Sequence, residues 1–523
     1  MPKRTTDTTH MTENTSKNAA NATGRRRTPP LLPLLALLAA ALLGGCAVGP
    51  DYHAPTLELP EQWNATQADA RHKLDDLKKW WTSLDDPILN RLIDEAVAGN
   101  LDVAAAQAKI REARAVYRQA GGALLPSLDG AASATKTGYG STASSASTGK
   151  ASYYSTFQAG FDASWELDLF GANRRNREAA GYGLDAANEE LHSTLLTLIG
   201  DVALNYVEAR GYQMRIDLAR RTAASQEETA RLTREKFRVG TSSAVDMDKA
   251  EADVNNTQAD IPGYEASYAQ AVHRLGILLG KQPAALLALM GDVAPVPVPR
   301  RELPAGVPAD LLLSRPDVRM AERELAQYTA KIGQAEAARY PDISLTGSIN
   351  TSGTEIGDLG NNSSIGWVVG PALNIPIFNG GQLKAAVDIA EAQRDQHYFA
   401  YRGAVLTALE DVENASVSLS RSRMKAQSLA LAVRHYREAA QLSRLLYQNG
   451  ATAILDVLDA ERSLYTAEDS LVQSKIAITE HYISLAKALG GGWDETMDAG
   501  KPLVFDDGGN PEPVSNVADA KTK

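Results

Sequence analysis

The residue types that most often carry chemistry are few and scattered in this chain. It has 523 residues with one cysteine and eight histidines, and no two histidines stand at the spacing of metal ligands. These counts exclude a disulfide framework and a cysteine-rich metal site. Carboxylates are abundant, but no motif pairs them with a nucleophile or a phosphate loop, and the three glycines at 490–492 are better explained as a helix end. The sequence therefore predicts a protein that is not an enzyme and binds no metal. Its net charge of −11 argues against a nucleic-acid partner.

An export signal precedes the single cysteine. Three arginines at 25–27 are followed by an apolar run over 31–43, which is interrupted only by Pro33 and is too short to span a bilayer. The run ends in Leu43-Gly44-Gly45-Cys46, and small residues before a cysteine resemble the lipobox of bacterial lipoproteins. In that motif the thiol receives a diacylglycerol, and the new N-terminal amine receives an acyl chain. We expect no cofactor other than these two covalently attached groups. We predict that residues 1–45 are removed and that Cys46 is the lipid anchor. The alternative is a buried cysteine behind an ordinary signal peptide.

The elements that follow form an internal repeat. At an offset of 215 residues Pro126 matches Pro341, and at an offset of 210 residues Gly240 matches Gly450. The sequence of each copy predicts, in order, a helix, a β-hairpin, a long helix without proline, a tight turn and a returning helix. A helix of about 65 residues extends roughly 100 Å and must pack beside others as a coiled coil. The predicted domains are a signal peptide (1–45), a lipid-anchored extension (46–85), repeat 1 (86–300), repeat 2 (301–493) and a flexible tail (494–523).

Each hairpin contains a strand in which apolar and polar residues alternate. From Tyr153 to Leu169 the alternation continues for seventeen residues, whereas ordinary strands have about five or six. This pattern is typical of a transmembrane barrel strand, with a half-buried sheet in a soluble domain as the alternative. In the barrel interpretation Gln158, Asp162 and Glu166 face water. The predicted lipid-facing strand residues are Phe157, Phe161, Trp165, Leu169, Trp367, Leu373 and Ile377.

Two hairpins supply only four strands per chain. An open sheet edge in lipid leaves backbone groups unpaired, and the smallest bacterial spanning barrels have about eight strands. We therefore predict that several chains share one barrel. The physical argument alone allows two, three or four copies.

Several motifs resemble the lipoprotein branch of the TolC-like outer membrane factors, the OprM/NodT group. The start of the mature chain, Cys46-Ala47-Val48-Gly49-Pro50-Asp51-Tyr52, is similar to the opening of that group. The resemblance extends from residue 46 to about residue 493. The other segments that carry it are Trp80-Trp81, Asn100-Leu101-Asp102-Val103, Ser314-Arg315-Pro316-Asp317-Val318 and Leu455-Asp456-Val457-Leu458-Asp459-Ala460.

The resemblance implies an α+β membrane protein that forms a homotrimeric TolC-like channel. Each chain would give four transmembrane strands to a shared twelve-stranded barrel in the outer membrane, and long coiled-coil helices to a periplasmic α-barrel. The channel would be the passive exit duct of a tripartite efflux pump for drugs and toxic compounds. Its partners would be a periplasmic adaptor and an inner membrane transporter of the RND type. The alternatives are a type I protein secretion channel with the same fold, and a structural coiled-coil lipoprotein of the envelope.

The resemblance also implies a gate at the periplasmic end. Leu455, Asp459 and Arg462 are spaced four and three residues apart, so they share one helical face. In a trimer, rings of leucine would exclude water and rings of aspartate would favour cations. Without the resemblance, a solvated charged face is the simpler interpretation. Thr452 stands where some relatives have arginine, so we expect Arg462 to supply the tie between helices. The predicted gate residues are Leu455, Asp456, Asp459 and Arg462, and the predicted adaptor-docking tips are Gly240, Thr241, Asp246, Gly450 and Ala451.

Overall fold

The computed structural model describes residues 47–57, 75–139, 152–301, 303 and 309–493. All of these residues belong to one compact unit that begins at Ala47. The predicted signal peptide, Cys46 and the predicted tail lie outside the described residues. Among the described helices, none has the length and the apolar character needed to cross a membrane.

The main elements follow the chain in the order that the sequence predicts. A helical turn, Asp75–Lys78, and a 3-10 helix, Trp80–Leu84, precede α1 (Pro87–Gly99). Repeat 1 contains α2 (Leu101–Gly122), β1 (Ser127–Tyr139), β2 (Ser152–Leu167), α3 (Ala172–Arg238) and α4 (Ala244–Leu278). Repeat 2 contains α5 (Pro316–Ala337), β3 (Asp342–Gly353), β4 (Ile365–Asn374), α6 (Gln382–Gln448) and α7 (Ile454–Ala488).

The two copies have helices of equal length. The first helices, α2 and α5, have 22 residues each. The long helices α3 and α6 have 67 residues each, and the returning helices α4 and α7 have 35 each. At 1.5 Å per residue the long helices extend about 100 Å. The predicted pair of structural repeats is confirmed.

One antiparallel sheet contains the four strands in the order β1-β2-β3-β4. Phe161 of β2 lies opposite Ile349 of β3, and Ile349 lies opposite Trp367 of β4. Residues directly opposite each other project to the same face. The register therefore gathers the large apolar side chains on one face, while Asp162 and its partner Ser348 lie on the other. The outer edges of β1 and β4 have no partner strand among the described residues.

The strands end earlier than the alternation predicts. β2 ends at Leu167 and β4 ends at Asn374, so the assignment of Leu169 and Ile377 to the strands is wrong. At β2 the chain turns, because the Leu169 N–H bonds to the Leu167 carbonyl at 2.7 Å. After β4 comes Pro376, which has no N–H to donate to a ladder.

The largest apolar core lies around the middle of α3, where it meets α1, α4 and α7. Trp80, Tyr206 and Tyr482 are fully buried there. The Tyr206 hydroxyl donates to Asp86 at 2.7 Å, so the polar end of this large side chain is satisfied. This core fixes the helices at a point far along the chain from the turns at 240 and 450.

Candidate gate, helix turns and membrane face

Both long helices end in the same backbone turn. Gly240 and Gly450 have φ of 81° and 74°, in the left-handed region that glycine adopts without steric cost. In the first turn Gly240 N–H donates to Phe237 O at 3.0 Å, and Thr241 N–H donates to Lys236 O at 2.8 Å. These two bonds satisfy carbonyls that would otherwise have no partner at the end of a helix.

The second turn repeats that pattern. Gly450 N–H donates to Tyr447 O at 3.1 Å, and Ala451 N–H donates to Leu446 O at 2.8 Å. The predicted tip residues Gly240, Thr241, Gly450 and Ala451 therefore occupy equivalent positions in two matched turns. Nothing lies within 4 Å of a side chain added at either glycine, so both turns are open to solvent in one chain.

The two returning helices begin differently. Asp246 forms a capping box with Ser243: its N–H donates to Ser243 Oγ, and its carboxylate accepts the Ser243 N–H, both at 3.1 Å. The bonds from the Ser243 backbone and side chain hold the pKa of Asp246 below its usual range. Asp456, its counterpart, has no such box because Ala453 is the N-cap residue of α7; its carboxylate accepts a hydrogen bond from the Thr452 hydroxyl, as Asp246 does from Ser242. Thr452 thus supplies the partner of Asp456.

The two helix turns are tied to each other within the chain. The Lys236 ammonium donates to Tyr447 O and lies 3.9 Å from the centroid of the Tyr447 ring. The Tyr447 hydroxyl donates to Thr233 at 3.3 Å. A small apolar cluster that includes Val254 and Val457 packs beside these contacts. The end of α3 and the end of α6 are therefore held together as one unit.

The predicted gate residues lie on an exposed face of α7. Leu455, Asp456 and Asp459 are exposed, and Leu455 retains 57% of its accessible surface. Arg462 donates from one guanidinium nitrogen to both carboxylate oxygens of Asp253, at 3.0 and 3.2 Å. The expected tie between helices is therefore present in the structure, and it joins α7 to α4. Sequence reasoning did not identify Asp253 as the partner.

Two further polar contacts lie on the same face of α7 as Arg462. The Tyr465 hydroxyl donates to Asp260 at 3.2 Å. Asp469 accepts two hydrogen bonds from Arg215 of α3, at 2.7 and 3.1 Å. The residues 462, 465 and 469 are spaced three and four apart, so one face of α7 makes all three contacts. Two of these contacts link α7 to α4, and the third links α7 to α3.

Glu461, one residue away from the gate face, belongs to a buried cluster. Only 6% of its surface is exposed. Its carboxylate accepts from Arg444 Nε of α6 at 3.1 Å and from Thr229 of α3 at 2.8 Å. Arg444 also donates to Ser225 of α3. This junction of α3, α6 and α7 was missed from the sequence, which predicts only that Glu461 points away from the gate face.

The apolar face of the sheet carries the remaining predicted site residues. Phe161, Trp165 and Trp367 are all exposed in one chain. Trp165 also donates its indole N–H to Leu124 O at 3.1 Å, so the polar atom of this side chain has a partner at the end of β2. An exposed face of large apolar side chains needs an apolar environment.

The segment that follows Cys46 is clamped beside the sheet. Val48 N–H donates to Phe170 O at 3.1 Å. Buried Arg175 donates to Val48 O and Gly49 O, both at 3.2 Å, and to Asp51 at 2.8 Å. These contacts fix residues 48–51 at the point where β2 gives way to α3. No group of three or more metal-ligating side chains comes together in the described part of the chain.

Comparison with known proteins decides the family. The family model described as "Outer membrane efflux protein" matches residues 92–281 and 307–491, one segment in each repeat. The chain belongs to the outer membrane efflux protein family. Nodulation protein T of Rhizobium leguminosarum bv. trifolii is 36% identical over 462 residues, which is 88% of this chain and 97% of that protein. The solvent efflux pump outer membrane protein SrpC of Pseudomonas putida is 35% identical over 472 residues, 89% of this chain and 99% of SrpC.

Solved structures give the fold of this outer membrane efflux protein. The outer-membrane channel OprN superposes with a TM-score of 0.77 at 31% identity, over 86% of this chain and 100% of OprN. The predicted TolC-like channel fold is confirmed. The family is one of outer membrane channel proteins, and the open turns and the apolar sheet face are therefore parts of a channel subunit.

Proposed function

We propose that this outer membrane efflux protein is a homotrimer that forms the passive exit duct of a tripartite pump. The apolar face of the sheet is the observation that carries the proposal. Four strands cannot close on themselves in lipid, and the outer edges of β1 and β4 have no partner strand within the part of the chain that the structure describes. Three chains supply twelve strands, and their long helices extend the duct into the periplasm.

The two helix turns are the proposed contact sites for a periplasmic adaptor. They lie at the ends of the long helices, and a side chain added at either glycine would meet nothing within 4 Å. An inner membrane transporter of the RND type would supply the energy and would select small molecules for export. SrpC is named as the outer membrane protein of a solvent efflux pump. The similarity of this chain to SrpC favours a role in efflux over a role in protein secretion.

The exposed face of α7 is the proposed gate. In a trimer three copies of Leu455 and Asp459 converge towards the axis, so the leucines narrow a dry constriction and the aspartates favour cations. Asp456 holds the turn through Thr452. Arg462 restrains the helix through Asp253. We propose that these contacts keep the isolated channel closed.

The proposed lipid anchor is Cys46, which carries a diacylglycerol and an acyl chain. The residue after it, Ala47, packs against Gly171 at the start of α3, where an added side chain would meet Ala47 at 2.8 Å. Mass spectrometry of the purified protein should show an acylated Cys46 as the first residue, and an unmodified N-terminus elsewhere would contradict this.

Planar bilayer recording of the purified protein tests the proposed function. We expect trimers by native mass spectrometry and single-channel conductance after insertion. Deletion of the gene should sensitise the host to small toxic compounds, and the full-length gene should restore resistance. A protein that remains monomeric and gives no conductance would support a structural envelope role instead.

A further inference from the structure

A cavity lies where α1 and α3 meet the residues that follow α7. Its volume is about 370 Å³. Most of its lining is apolar, and Trp493, the last residue that the structure describes before the C-terminal segment, forms part of it. The chain beyond Trp493 therefore starts beside an apolar cavity. The apolar side chains of the lining are Trp81, Ile93, Val97, Ala98, Leu195, Ile199 and Trp493.

A buried hydrogen-bond donor beside this cavity lacks an acceptor. The Trp80 side chain is 2% exposed, and its indole N–H has no hydrogen-bond partner among the described residues. It lies against Gly492, where an added side chain would meet the indole nitrogen at 3.2 Å. Gly492 is itself part of the cavity lining. Since a buried indole N–H usually has a partner, we expect an acceptor here that the described residues do not supply.

Three charged side chains also belong to the lining. Lys78 and Lys79 precede the 3-10 helix, Asp94 lies on α1, and all three are exposed. The edge of the cavity therefore carries two positive charges and one negative charge. An occupant that complements it has apolar residues for the interior, two acidic residues and one basic residue.

The sequence beyond Trp493 contains a segment with that composition. It reads Lys501-Pro502-Leu503-Val504-Phe505-Asp506-Asp507, and it holds the one run of three adjacent apolar side chains other than proline between 494 and 523. One lysine precedes the run and two aspartates follow it, so the charges match those of the cavity edge in number and are opposite in sign. Residues 58–74, which also lie outside the described residues, contain no such run.

We propose that residues 501–507 fold back onto their own chain and occupy this cavity. Successive side chains of an extended segment point to opposite sides, so Leu503 and Phe505 enter the cavity while Val504 faces outward. A backbone carbonyl of the docked segment then accepts the Trp80 N–H. The sequence predicts a flexible tail over 494–523, and this contact fixes one short part of it.

The connection between the cavity and the segment is short. Seven residues, 494–500, separate Trp493 from the segment, and an extended link of that length spans up to roughly 24 Å. Because the segment belongs to the same chain, its effective concentration at the cavity is roughly millimolar. A weak site is therefore sufficient. Both parts belong to one chain, so the inference is independent of the proposed homotrimer.

Cysteine labelling of the full-length protein tests the proposed occupant. Cys46 is the only cysteine of the sequence, so Ala98→Cys adds a single reporter thiol, and the parent protein gives the background. We expect a maleimide to modify Ala98→Cys at least tenfold more slowly in the full chain than in a chain truncated after Trp493. The control thiol is Arg91→Cys, on the same helix but outside the cavity. The Arg91 side chain is 65% exposed, so this thiol should react at the same rate in both chains.

Substitutions within the segment test its apolar contacts. Leu503→Asp with Phe505→Asp should abolish the protection of Ala98→Cys as fully as truncation does. The matched control, Val514→Asp with Val517→Asp, adds the same two charges farther along the chain and should leave the protection unchanged. Neither pair alters a described residue, and native mass spectrometry should show the same oligomer for both.

The labelling rates distinguish the other possible occupants. Fast labelling of Ala98→Cys in both the full and the truncated chain would show that the cavity is open, and slow labelling in both would show that another segment, such as residues 58–74, covers it. Either result would overturn the proposal, as would equal loss of protection in the two pairs of substitutions. None of these results would alter the conductance expected of the channel.

Discussion

Arg462 of α7 holds both carboxylate oxygens of Asp253 of α4 at 3.0 and 3.2 Å. The two residues are 209 positions apart in the chain, and they join the returning helices of the two repeats. Asp253 is mostly buried, whereas Arg462 is 63% exposed. The pair therefore joins a solvent-exposed donor to a largely buried acceptor, so water can reach the guanidinium when the helices part.

Loss of this pair should open the channel. We expect Arg462→Ala to raise the open probability in planar bilayers several-fold, because an exposed ion pair contributes up to about 1 kcal/mol and the proposed trimer contains three. The effect should shrink in 1 M salt, where the Debye length falls to about 3 Å. Adding Leu455→Ala and Asp459→Ala should raise conductance further and admit bulky antibiotics.

The control for this prediction is Arg221→Ala. Arg221 is an exposed arginine whose partner, Asp217, lies on its own helix, so its loss unties no pair of helices. The charge-swapped variant Arg462→Asp with Asp253→Arg should restore closure. If the triple alanine variant assembles as a trimer and conducts like the parent, the gate lies elsewhere.

Local patterns predicted the elements but not the contacts between them. The alternation around Phe161 and the turn glycines Gly240 and Gly450 depend on a few neighbouring residues, so the sequence revealed them. The partner of Arg462 depends on how α4 packs on α7, which periodicity does not contain. The early end of β4 follows from Pro376. The prediction followed the alternation of apolar residues past this proline and therefore placed the end of the strand too late.

Glu461 shows a second limit of local reasoning. Its position on α7 correctly predicts that it points away from the gate face. Burial of this carboxylate depends on Thr229 and Arg444, which come from two other helices. No spacing within α7 distinguishes a carboxylate that faces solvent from one that faces such a junction.

Removal of one partner from the buried Glu461–Arg444 pair should destabilise the helical duct. Breaking such a pair costs about 3–5 kcal/mol, because the remaining charge is left buried and unpaired. Arg444→Ala leaves the Glu461 carboxylate, whose side chain is 6% exposed, without its ion-pair partner, and should therefore lower the temperature at which the proposed trimer dissociates on heating in detergent. Glu461→Leu with Arg444→Met should recover most of that loss. Equal melting of the single and double variants would show that the charge pair is unimportant.

The sheet faces predict opposite effects of neighbouring substitutions. Phe161→Arg places a charge on the apolar face, at a cost of about 2–4 kcal/mol near the bilayer midplane. Asp162→Arg changes the polar face and should cost far less. Heat-modifiable migration of the folded trimer and extraction from outer membranes measure insertion. Equal loss of folded trimer in both variants would contradict the assignment of the faces.

The turn glycines predict an effect on partner binding that leaves the trimer intact. Gly450 has a φ of 74° with nothing within 4 Å of an added side chain, so Gly450→Ala introduces backbone strain but no clash. The left-handed conformation costs alanine roughly 1–2 kcal/mol. That cost should loosen the turn and weaken adaptor binding about tenfold or more, as measured by surface plasmon resonance.

Gly403→Ala is the matched control for the turn. Gly403 lies within α6, also has nothing within 4 Å of an added side chain, and does not require a left-handed backbone. Alanine favours a helix interior over glycine by about 1 kcal/mol, so this variant should bind the adaptor normally and melt no earlier than the parent. Gly450→Asn should bind better than Gly450→Ala, since asparagine tolerates the left-handed region. If Gly450→Ala and Gly403→Ala bind the adaptor equally well, the second turn is not part of the docking site.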